Sequence, residues 1–96
     1  MRVISNKALT DFSAIHPPAG EPLQAWRKIA ESRTFSNFAE IKATFNAVDK
    51  VDIYYVFDIG GNKYRLITAI HYNVHKVYVR HVLTHAEYDT GKWRKQ

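Results

Sequence analysis

Arg65, Arg80 and His85 are the side chains of this sequence best suited to chemistry on a phosphate. They belong to two strand-like runs, residues 63–72 and 75–84, that are dense in Arg, Lys, His and Tyr; the second leads into His85-Ala-Glu-Tyr-Asp89. A guanidinium makes paired, charge-assisted hydrogen bonds to phosphate and keeps its charge at cellular pH. Imidazole titrates near neutrality, which suits His85 to moving a proton. Tyr78 offers a ring on which an unpaired base can stack. Such a set suits gripping and cutting RNA. The plainer alternative is a solvated strand face, where Lys and Arg deter edge pairing. Cations interleaved with tyrosine on adjacent strands favour binding.

The remaining histidines read differently. His16 precedes two prolines at a helix end and is expected to be solvated or to cap the helix, while His71 and His75 flank a turn and are expected at the surface. His81 falls on the mainly apolar side of its strand, where a satisfied core histidine is the expectation. His71-x3-His75 and His81-x3-His85 have the spacing of zinc half-sites. A turn separates the first pair and strand pattern surrounds the second, so no metal site is expected. Gly60-Gly61-Asn62 is a hairpin turn and not a phosphate loop, because no GK[ST] follows. With no cysteine there is no disulfide, thiolate ligand or cysteine nucleophile, and no cofactor is expected.

The elements that must position these residues divide the chain in two. Arg2-Val-Ile-Ser5 is a short strand candidate. Ser5 or Asn6 then caps a helix to about Ile15, with Ala8, Leu9, Phe12 and Ile15 at helical spacing. His16-Pro17-Pro18 breaks it. A second helix starts near Glu21-Pro22, with Leu23, Trp26, Ile29 and Ala30 as its apolar stripe. A third follows Asn37, which stands at capping-box spacing from Glu40 and leads into Phe38, Ile41 and Phe45. From Val51 the pattern turns to strands over residues 51–59, 63–72 and 75–84, joined by short turns. The expected architecture is α+β, two to three N-terminal helices packed on a small, mainly antiparallel sheet.

Alternation assigns faces. Tyr64, Leu66, Thr68, Ile70 and Tyr72 share one side of the middle strand, opposite Lys63, Arg65, Ile67, Ala69 and His71. In the last strand Val77, Val79, His81 and Leu83 oppose Lys76, Tyr78, Arg80, Val82 and Thr84. With the apolar sides on the helices, Lys63, Arg65, Lys76, Tyr78 and Arg80 share the open face, provided that no bulge breaks the register.

The whole composition agrees with that frame. Ninety-six residues, 46% hydrophobic and 14% aromatic, suit one packed domain over residues 1–96. A formal charge of +5 favours an anionic partner. No apolar run approaches the roughly 18 residues of a membrane span, and the N-terminus lacks a signal-like apolar region. A soluble cytoplasmic protein, with no membrane partner, is the expectation.

On these residues the chain resembles a known family. Val56-Phe-Asp-Ile-Gly-Gly-Asn-Lys-Tyr-Arg-Leu66, Val77-Tyr-Val-Arg-His81 and Thr84-His-Ala-Glu-Tyr-Asp89 are similar to HigB-type toxins of type II toxin–antitoxin systems, which are RelE-like mRNA interferases. The opening strand and helix are similar too. The resemblance implies a RelE-like fold, ribosome-dependent cleavage of translated mRNA without a metal, and neutralisation by a HigA-type helix-turn-helix antitoxin. It points to Arg65, Arg80, His85 and Tyr88 as the catalytic set. The wider superfamily often carries a catalytic tyrosine near the C-terminus, whereas this chain ends Gly91-Lys-Trp-Arg-Lys-Gln96 with none after Tyr88. Joined to the residue chemistry, it suggests attack by a 2′-hydroxyl on the adjacent phosphorus. Arg65 and Arg80 would stabilise the phosphoryl oxygens, His85 would move a proton, and Tyr88 would orient the RNA or share that transfer. Lys63, Lys76 and Tyr78 would bind the flanking RNA. The rival reading is a non-catalytic RNA- or ribosome-binding module.

Overall fold

The structure, a computed structural model, describes residues 1–95. Strand β1 (Arg2–Ile4) leads into helices α1 (Asn6–Ile15), α2 (Gly20–Glu31) and α3 (Phe38–Thr44). Strands β2 (Asp49–Val51), β3 (Tyr54–Ile59), β4 (Tyr64–His71) and β5 (Lys76–Thr84) follow, then α4 (His85–Asp89) and a closing 3-10 turn, Lys92–Lys95. The sheet order is β1-β5-β4-β3-β2, antiparallel except that β1 pairs with β5 in parallel. This is an α+β fold with its first three helices on one face of the sheet.

The expected strand over residues 51–59 is two strands. Asp52 takes a positive φ of 55°, a conformation that Asp tolerates better than β-branched residues, and Val51 pairs with Tyr54 across a two-residue turn. The helices form as the spacing predicts. Asn37 caps α3 by accepting the Glu40 amide at 3.0 Å, while the Glu40 carboxylate reaches the Ser36 amide at 2.9 Å. Two stripe positions do not reach the core: Ile15 ends α1 at 77% exposed, and Ile29 of α2 is 45% exposed.

Leu9, Leu23, Trp26 and Ile41 bring the helices onto Tyr55, Phe57, Ile59, Leu66 and Val77 of the sheet. Phe57 meets Trp26 and Phe45 edge-on, with centroids 5.3 and 5.0 Å away, the geometry that aromatic quadrupoles favour. This burial fixes which face of the sheet stays open.

One bulge redraws that open face. Ile67 of β4 pairs with His81 and Thr68 with Val79, which leaves Arg80 as an extra residue in β5. An extra residue reverses the alternation beyond it. Val77 and Val79 lie on the core side as expected, but so does Val82, while His81 and Leu83 turn to the open side. The assignment of His81 and Leu83 to the apolar face, and of Val82 to the open one, is therefore overturned.

The far side of the sheet is also partly covered. Val56, Ile67 and Trp93 form a second buried cluster, joined by Val51, Tyr54, Leu83 and Tyr88. The chain beyond β5 thus folds back over one half of the open face. The other half remains a groove.

Candidate functional site

At the covered end, Arg65 organises the β3–β4 hairpin. Its partner across the strands is Asp58, and its Nε lies 3.1 Å from the Asp58 carboxylate. Its Nη1 donates to the Asn62 carbonyl at 3.1 Å, and its Nη2 to the Asn62 side-chain oxygen. The guanidinium also sits 5.4 Å from the centre of the Tyr88 ring, within cation–π range. Tyr88 in turn stacks on Trp93 with centroids 5.2 Å apart, and the Trp93 indole donates to the Tyr88 carbonyl at 3.0 Å. Arg65 is only 8% exposed, and its donors serve the hairpin.

His85 opens α4 and does not close β5. Thr84 caps the helix: its hydroxyl accepts the Glu87 amide at 3.2 Å, and the Glu87 carboxylate accepts the Thr84 amide at 2.9 Å. The His85 amide donates to the Lys63 carbonyl at 3.0 Å, which ties the helix start to the β3–β4 turn. One helical turn on, the Asp89 carboxylate lies 3.1 Å from His85 Nε2. In a neutral imidazole that contact favours the proton on Nε2 and leaves Nδ1 as the acceptor, the arrangement of an oriented base. The imidazole is half exposed, and Lys63 is exposed.

The groove occupies the other end of β5. Tyr78 meets His71 edge-on at 5.0 Å, and the Arg80 guanidinium lies 5.7 Å from the Tyr78 ring centre. Lys76 pairs with His71 at the strand's start. His81, partly buried, lines a shallow cleft with Ile53, Tyr54, Ala69, His71 and Arg80, and also borders a second hollow walled by Leu83, Glu87, Thr90, Lys92 and Trp93. Burial, and then the neighbouring Arg80 charge, lower the pKa of His81 below its usual value.

Among the described residues no three His, Cys, Asp or Glu side chains converge as a metal site requires, and no helix is long and apolar enough to cross a membrane. A family profile described as HigB toxin, RelE-like toxic component of a toxin-antitoxin system, matches residues 19–91. The chain belongs to the HigB toxin family. It is 34% identical over 92 residues to the mRNA interferase toxin HigB of Escherichia coli K12, covering 93% of this chain and 88% of that protein. The mRNA interferase HigB of Shigella flexneri aligns with the same figures. That of Escherichia coli O6:H1 is 28% identical over 92 residues, covering 93% of this chain and 89% of that protein.

The HigB match spans all seven residues singled out from the sequence. The fold sorts them into two groups. Arg65, Tyr88, His85 and Lys63 belong to the hairpin and α4, while Lys76, Tyr78 and Arg80 lie in the first half of β5, where Arg80 lines the cleft. From residue 80 to the end of β5 at residue 84 a strand rises roughly 13 Å, at about 3.3 Å per residue, which sets the two groups apart along the strand. Asp58 and Asn62 escaped sequence reasoning, although the spacing across the GGN turn sets Asp58 opposite Arg65. Trp93 left no signal, since Gly91-Lys-Trp-Arg has no periodicity and its ring finds a partner only in three dimensions.

Proposed function

We propose that this HigB-family toxin is an mRNA interferase that cuts messages during translation in the cytoplasm, without a metal, and is neutralised by a HigA-type helix-turn-helix antitoxin. The observation that carries the reading is the oriented His85–Asp89 pair at the end of a cationic sheet face. In the proposed reaction the 2′-hydroxyl of the RNA gives its proton to His85 Nδ1 as its oxygen attacks phosphorus, the P–O5′ bond breaks, and the departing 5′-oxygen takes a proton from water to leave a 2′,3′-cyclic phosphate and a 5′-hydroxyl. Lys63, bound through its carbonyl to the His85 amide, faces the charge building on the phosphoryl oxygens. Arg65 acts on the same phosphate through its fixed charge and through the Tyr88 ring that it holds, and Tyr88 orients the RNA. Arg80 and Lys76 hold the neighbouring phosphates, with Tyr78 beneath a base.

The small size of the chain supports ribosome dependence. A face this shallow offers one strand's length of contacts, so an outside scaffold that presents the RNA in an extended form supplies the missing positioning. The relatives named mRNA interferase support the same reading.

Brief induction followed by mapping of mRNA 5′ ends tests it, with His85→Ala as the comparison. The wild-type chain should cut within translated codons. His85→Ala, at an exposed position, should fold normally and cut at least about 100-fold more slowly, the scale of lost acid–base catalysis. Undiminished cutting by folded His85→Ala removes His85 from the chemistry. Stalled but intact messages would mark a non-catalytic ribosome-binding module.

A further inference from the structure

The bulge in β5 has a functional consequence. Regular alternation would send residues 80 and 81 to opposite faces; the extra residue lets Arg80 and His81 line one cleft together. The cleft measures about 460 Å³, within the range of small-ligand sites. Ala69 and Tyr54 line it, with Ile53, 71% exposed in the β2–β3 turn. An apolar cleft with one guanidinium and two imidazoles, His71 and His81, has the chemistry of a site for a flat ring joined to a phosphate.

We infer that this cleft is a nucleobase subsite, in which His81 hydrogen-bonds the edge of one unpaired RNA base while Arg80 holds the adjoining phosphate. The inference rests on the proposed RNA cleavage and adds to it the residue that sets base preference. Imidazole in its neutral form presents one donor and one acceptor to a base edge. Partial burial and Arg80 favour that form, with His71 in the cleft and Glu87 and Lys92 in the adjacent hollow as the other titratable neighbours. Ile53 and Tyr54 supply the apolar surface against which the base packs. From residue 81 to the end of β5 at residue 84 the strand rises roughly 10 Å before α4 begins at His85, so His81 addresses a different nucleotide from the one His85 cuts.

The test compares base frequencies at each position around the cut for the wild type, His81→Leu and Ile53→Ser, with circular dichroism to verify folding. Ile53 is exposed enough that its substitution leaves the fold intact. His81→Leu should flatten the preference at one position by about fivefold, the worth of one hydrogen bond. Ile53→Ser should weaken the preference at that same position. Profiles that match the wild type at every position overturn the subsite. So does a wild-type profile without base preference, or loss of all cutting by both folded variants, which would place the cleft in the chemistry. Absence of cuts by the wild-type chain overturns the cleavage reading itself, and the subsite with it.

Discussion

At the scale of single residues, Arg65 separates two roles that the sequence merges. As a phosphate grip it would present a free guanidinium; in the fold its Nε and both Nη atoms serve Asp58, Asn62 and Tyr64. The two roles make opposite predictions for Arg65→Lys. A lysine keeps the charge but loses the planar fork and the stacking on Tyr88. Denaturant unfolding should show a loss of about 1–2 kcal/mol from the unmade hydrogen bonds, and cutting should drop with it. Unchanged stability with reduced RNA affinity would return Arg65 to the ligand. His81 teaches the complementary lesson: its residue type is plain in the sequence, but its face is not. Val79-Arg-His-Val82 reads as an alternating strand in either phase, and only pairing with β4 reveals the inserted residue.

At the scale of elements, the helices and main strands were legible because burial imposes periods of 3.6 and 2 on their apolar residues. The division of residues 51–59 was not, since the hairpin depends on one backbone angle at Asp52. Helix α4 was hidden for a different reason. Five residues are too few to show a period, so its only local mark is Thr84 with Glu87 three positions on. That mark matters because the His85–Asp89 contact needs a helical turn between them. Thr84→Ala should cost about 1 kcal/mol, about 4–8 °C in Tm for a domain of this size. It should also lower cutting, because the imidazole loses its orienting carboxylate. Thr84→Ser, which keeps the hydroxyl, should restore both. Normal cutting by Thr84→Ala would show that α4 is not what positions His85.

At the scale of the whole molecule, the excess of cations becomes specific through where the fold leaves them. One sheet face is sealed by three helices and half of the other by the Trp93 segment, which leaves the stretch along β5 open. With Lys63, Lys76 and Arg80 as the proposed phosphate contacts, each phosphate neutralised releases counterions. Affinity for single-stranded RNA should therefore fall with salt at a slope of about −0.7 per contact, or about −2 for three. The probe is an RNA oligonucleotide with one 2′-deoxy position, which removes the nucleophile but keeps the phosphates. Lys76→Ala should reduce the slope by about 0.7 and weaken binding alike for all sequences, whereas His81→Leu should leave the slope intact and alter only which bases are preferred. A slope unaffected by Lys76→Ala would mean that RNA does not follow β5. A slope altered by His81→Leu would mean that the imidazole binds as a cation and not as a reader of base edges. The pair of measurements thus separates grip from recognition on one strand.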